Sequence, residues 1–106
     1  MNLLGKVKEV QAKLKLAKEN LVHIHATGES GAGLVKATVN GERKLIKLDI
    51  DASIIKTDDK EMLQDLTVAA VNKALGIVEE KIKEEMKKST DGVLPNIPGL
   101  DLGSML

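Results

Sequence analysis

The sequence has 106 residues, 16 basic against 16 acidic, with no cysteine and no aromatic residue. That length is one domain, and the missing cysteines exclude disulfides and thiolate metal sites. No run approaches the roughly 18 apolar residues of a membrane span, and zero net charge argues against a strongly basic nucleic-acid binder, so the placement of charge matters more than its sum.

The N-terminal MNLLGKVKEV is too polar for a secretory signal, so a cytoplasmic location and no membrane partner are expected. Leu3, Val7, Val10, Leu14, Ala17, Leu21 and Ile24 then alternate steps of four and three. This heptad seam predicts a first helix that packs against another helix. Lys6, Lys8, Lys13, Lys15 and Lys18 all lie off the seam. With no aromatic residue the core is built from small aliphatic side chains, and a second copy of the chain is one source of extra buried area.

From Val22 the pattern alternates: Val22, Ile24 and Ala26 against His23, His25 and Thr27, a candidate first strand with both histidines on one face. Two further strands, LVKATV and KLIKLDI, flank Asn40-Gly41, the strongest short hairpin signal. A two-residue turn there pairs Val39 with Glu42, Ala37 with Lys44 and Val35 with Ile46. Val35, Ala37, Val39, Ile46, Leu48 and Ile50 then share a buried face. Lys36, Thr38, Arg43, Lys47 and Asp49 share a polar one, with Leu45 as an exception.

A long helix follows, from about Asp59 to Lys88. Asp58 and Glu61 have capping-box spacing, and acidic residues suit the first turn. Its apolar stripe runs through Met62, Leu66, Ala69/Ala70, Leu75, Val78, Ile82 and Met86, with a candidate bend at Gly76. Such a helix is about 45 Å long, against about 20 Å for a six-residue strand, so its charged end overhangs the sheet. Residues 1–90 therefore read as a single domain. Residues 91–106 hold both prolines and three glycines and read as an irregular, mobile tail.

Candidate sites are few. GESGAGLV at 28–35 fits neither the Walker nor the Rossmann phosphate loop, and a strand rather than a helix follows it. It reads as a structural loop with glycine where φ is positive. His23 and His25 lack a third metal ligand placed by the sequence, and no nucleophile with its base is evident, so no enzyme, no cofactor and no small-molecule substrate are expected. An enzyme using the two histidines is the weakest of three readings. The lysines remain. Their bland reading is a solvated face with i,i+4 pairs such as Glu79–Lys83 and Glu84–Lys88. Base stacking is unavailable without aromatics, but duplex contact through phosphates needs only projecting basic side chains.

TGESGAGLVKATVNG, LDID and DDKEMLQDLTVAAVNKAL closely resemble the YbaB/EbfC family of bacterial nucleoid-associated proteins. The Lys-rich first helix and the IPGL of the tail agree, and the resemblance covers nearly the whole chain. It implies an α+β fold with an N-terminal helix, a three-stranded antiparallel sheet and a long C-terminal helix. It further implies an intertwined homodimer whose projecting helical arms flank duplex DNA, in the nucleoid, with a role in nucleoid organisation or gene regulation. Carried onto this chain, the DNA-binding residues are Lys6, Lys8, Lys13, Lys15, Lys18, Lys81, Lys83, Lys87 and Lys88. The competing expectation is a protein-interaction dimer whose arms bind another protein, with DNA contact incidental.

Overall fold

The computed structural model describes residues 3–90 of the protein; the expected tail, residues 91–106, lies outside them. Helix α1 spans Leu3–Asn20 and tightens into a 3-10 turn at Leu21–His23. Strands β1 (His25–Ser30), β2 (Val35–Asn40) and β3 (Leu45–Ile50) form an antiparallel sheet in the order β1-β2-β3. Two short 3-10 turns, Ala52–Ile54 and Thr57–Asp59, lead into helix α2, Lys60–Thr90. The expected α+β architecture is therefore present, and α2 continues through Gly76 without a break.

The histidines depart from expectation. β1 begins at His25 because Leu21–His23 prolongs α1, with Leu21 buried beneath it and the Ile24 amide donating to the Leu21 carbonyl at 3.1 Å. His23 thus sits in the 3-10 turn and His25 opens the strand, so the two do not share a strand face.

The turn after β2 also departs. Asn40-Gly41 does not form a two-residue turn. The Asn40 side chain instead accepts from the amides of Glu42 and Lys44, at 2.9 and 3.2 Å. The Gly41 amide is drawn inward to the Leu21 and Ile24 carbonyls, both at 2.9 Å. The loop runs on to Arg43, whose φ of 64° is the left-handed residue of a longer hairpin loop. Val35 accordingly pairs with Ile50, Ala37 with Leu48 and Val39 with Leu45, across a bulge at Thr38/Val39. Between Val35 and Ala37 the shift from the expected register is four residues. An even shift keeps each side chain on its face, so Leu48 and Ile50 still lie beside Ala37 and Val35. The bulge then brings Leu45, the exception in the sequence pattern, opposite Val39.

The glycine block is structural in two ways. Gly28, Glu29 and Ser30 belong to β1, and Gly31–Leu34 make the turn to β2, with Gly31, Ala32 and Gly33 all at positive φ. Gly28 lies under α2: a Cβ there would collide with the Ala70 carbonyl and the Ala74 amide. The small residues Ala26, Gly28, Ala37, Ala70 and Ala74 let helix and sheet approach closely. Ser30, buried at this contact, donates its hydroxyl to the Leu66 carbonyl at 2.5 Å.

Two core clusters result. One joins Val35, Ala37, Ile54 and Ala70. The other joins Ala17 and Leu21 of α1 and its 3-10 turn to Ala26, Val39, Ala74, Val78, Ile82 and Met86. The α2 stripe is as expected except at its start, where Met62 is exposed and Leu63 packs inward instead. Two apolar surfaces stay open. α2 packs on β1 and β2, leaving Leu45 and Leu48 of β3 48% and 40% exposed. In α1 only the C-terminal half of the seam packs against α2, and Leu4 and Val7 are 72% and 51% exposed.

Candidate nucleic-acid interface

The expected lysines lie on two helices that meet at one end of the molecule. At 100° per residue, Lys8, Lys15 and Lys18 fall within about 80° of one another on one flank of the α1 seam, and Lys6 and Lys13 fall on the other. Lys13 and Lys88 line a shared open groove between α1 and α2, together with Leu16, Ala17 and Asn20. α2 therefore runs antiparallel to α1 across the second core cluster.

The nine lysines are not equivalent. Lys81 donates to the His25 backbone carbonyl at 2.7 Å, tying α2 to the start of β1. Lys83 faces Glu80 at 4.0 Å and Lys13 faces Glu9 at 3.8 Å. Lys87 is exposed near the end of α2, where it also suits the helix dipole. For Lys6, Lys8, Lys15, Lys18 and Lys88, all exposed, no ion pair or hydrogen bond occurs among the described residues.

Arg43 does not lie on the polar sheet face with Lys36 and Lys47, contrary to expectation. Its left-handed backbone turns it towards α2, where Nε and Nη2 engage both carboxylate oxygens of Glu79, the latter at 3.1 Å. The expected Glu79–Lys83 pair gives way to this one. Hydrogen bonding from Arg43 holds the Glu79 carboxyl below its ordinary value, and the same bond raises the Arg43 guanidinium. Lys36 is likewise occupied by Glu29 at 3.6 Å. The open sheet face is thus a weaker rival for phosphates than the sequence suggested. The fork of the chain's single arginine had no local signal, since Glu79 lies 36 residues away.

No group of three or more His, Cys, Asp or Glu among the described residues is arranged to hold a metal, and no described helix is long and apolar enough to cross a membrane. The arrangement offers fixed positive charge on projecting helices.

Comparison with known proteins agrees with that chemistry. The sequence profile of the YbaB/EbfC DNA-binding family matches residues 1–93. The nucleoid-associated protein TTE0040 of Caldanaerobacter subterraneus subsp. tengcongensis is 41% identical over 99 residues, 93% of this chain and 87% of that protein. The crystal structure of the uncharacterized protein HP0035 from Helicobacter pylori superposes with a TM-score of 0.67 at 29% identity, covering 79% of this chain and 91% of that one.

Proposed function

The chain belongs to the YbaB/EbfC DNA-binding family, and from that premise we propose that it holds duplex DNA as a homodimer, through phosphate contacts from lysines on α1 and the end of α2. The family is a DNA-binding, nucleoid-associated one and not an enzyme family. Nucleoid organisation or gene regulation, in the cytoplasm, is the role this reading assigns.

The observation that carries it is the set Lys6, Lys8, Lys15, Lys18 and Lys88, exposed and unpaired among the described residues, on the two helices that reach past the sheet. Each is a point charge suited to a phosphate rather than a fork suited to a base edge. Binding is thus expected to be largely indifferent to sequence and driven by counterion release. The homodimer is supported by the half-open β3 face and the uncovered N-terminal seam of α1. Fluorescence anisotropy of a labelled duplex across a salt series tests the DNA contact, and sedimentation tests the dimer.

A second reading has one observation in its favour. Leu4 and Val7, 72% and 51% exposed, give the start of α1 an apolar surface that duplex DNA does not need. In that reading the arms of the dimer grip another protein and DNA contact is incidental. A partner retained after nuclease treatment, with no binding to purified duplex, favours it.

A further inference from the structure

The antiparallel crossing of α1 and α2 brings together two lysines that are far apart in sequence. Lys13, on one flank of the α1 seam, and Lys88, in the last turn of α2, line one open groove of about 270 Å³. Asn20 lines it too, and Leu16 and Ala17 complete the lining without adding charge. No carboxylate belongs to it.

The polar groups of the groove are poorly occupied by the protein itself. Lys88 makes no ion pair or hydrogen bond among the described residues. Lys13 meets Glu9, one turn back, at 3.8 Å, which is long for an ion pair, and both side chains are well exposed, at 42% and 55%. Asn20 is exposed and makes no side-chain bond to the 3-10 turn that it precedes, so its amide N–H can donate into the groove. Two ammonium groups facing one cavity repel each other unless an anion lies between them. Each supplies three rotatable donors, and the amide adds a neutral one, a set that suits a tetrahedral oxyanion. At about 30 Å³ for each water, the groove has room for a phosphate group with several waters.

We propose that this groove is a phosphate site, in which Lys13 of α1 and Lys88 of α2 share one phosphate group and Asn20 donates to one of its oxygens. In the duplex complex that group is a single backbone phosphate, held by both helices at once. The other lysines of α1, Lys8, Lys15 and Lys18, lie on the opposite flank and take separate phosphates. The duplex as the source of the phosphate rests on the DNA-binding reading above; the site itself does not.

The test is the salt slope of duplex affinity for Lys13→Gln, Lys88→Gln and the double variant of the full chain. If one phosphate is shared, the double variant lowers the slope by about 0.9 per protomer engaged. Lys8→Gln with Lys15→Gln, a heptad and about 10.5 Å apart, should lower it by about 1.8. Glu9→Gln, which removes the competing carboxylate, should tighten binding about twofold. That gain should vanish in the Lys13→Gln background, whereas a general loss of negative charge would persist. Inorganic phosphate titrated into isotope-labelled protein should shift the amide signals of Lys13, Asn20 and Lys88 more than those of Lys8 and Lys15. A fall of about 1.8 in the Lys13, Lys88 double variant means two separate phosphates and overturns the shared site. An unchanged slope in that variant overturns it as well, and in both cases the DNA-binding reading stands. Groove signals that respond to inorganic phosphate in a protein that binds no duplex uphold the site for free phosphate and overturn the DNA-binding reading. No duplex binding and no groove response overturn both.

Discussion

Arg43, the left-handed residue of the β2–β3 loop, and Glu79, in the middle of α2, form a bidentate pair that ties the hairpin to the long helix. On the other side of the loop, the Gly41 amide is held by the Leu21 and Ile24 carbonyls. The loop thus joins the end of α1, the sheet and α2 at one point. Both side chains of the pair are more than a third exposed, so solvent screening limits its worth to at most about 1 kcal/mol.

The pair sets a pH dependence with a definite sign. The carboxyl of Glu79 is depressed below its ordinary value of 4.5 by the hydrogen bonds from Arg43. A depressed acid stabilises the fold fully above that ordinary value and loses its contribution as pH falls through the lower folded one. Glu79→Gln is therefore expected to lower Tm by a few degrees at neutral pH. The difference from the unsubstituted protein should shrink to nothing in acid below the ordinary carboxylate range. Thermal melts by circular dichroism across pH check both parts.

Gly28→Ala should be among the most destabilising single changes. The added methyl meets backbone atoms of Ala70 and Ala74 rather than a flexible side chain. Relief requires α2 to lift from β1, at a cost of about 1–3 kcal/mol or more. A fall in Tm of roughly 5–20 °C is expected, with no local effect on the lysines of α1. Gly76→Ala is the matched control: Gly76 is exposed, in mid-helix, with open space around it, and alanine there should stabilise α2.

Leu48 lies on the helix-facing side of the sheet but beyond the cover of α2. If a second copy covers it, Leu48→Asp should convert the dimer to monomer in sedimentation at micromolar concentration while leaving the monomer fold largely intact. A single 11.4 kDa species from the unsubstituted protein contradicts the dimer outright.

Much of this fold was legible in local pattern. The heptad steps of α1, the alternation of β2 and β3 and the stripe of α2 each report a period set by one element. Of the expected inward set, Leu48 and Ile50 survived a wrong register because the error was even, whereas the bulge sets Leu45 rather than Ile46 opposite Val39 and leaves Ile46 48% exposed. What local pattern missed depends on long-range contacts. Nothing near Asn40-Gly41 says that its amide is claimed by Leu21 and Ile24, or that Arg43 turns back to Glu79. β1 was read three residues early, because apolar Val22 and Ile24 continue a strand-like alternation through a 3-10 turn. The lysines of the proposed site were legible as a set. Their inequality was not, since the partner of Lys81 is a backbone carbonyl 56 residues away.

The central claim is that lysines on α1 hold duplex phosphates and the sheet face does not. It is tested most directly by the salt dependence of duplex affinity for two triple variants, both first confirmed by circular dichroism to be folded at the assay temperature. Lys13, Lys15 and Lys18 replaced by alanine should weaken binding to all sequences alike and flatten the slope of log K against log salt by up to about 2.7 per protomer engaged, at about 0.9 per phosphate. Lys36, Arg43 and Lys47 replaced by alanine should leave affinity and slope nearly unchanged, since Glu79 and Glu29 already occupy Arg43 and Lys36. Loss of binding in the variant lacking Lys36, Arg43 and Lys47, with the α1 variant unaffected, contradicts the account.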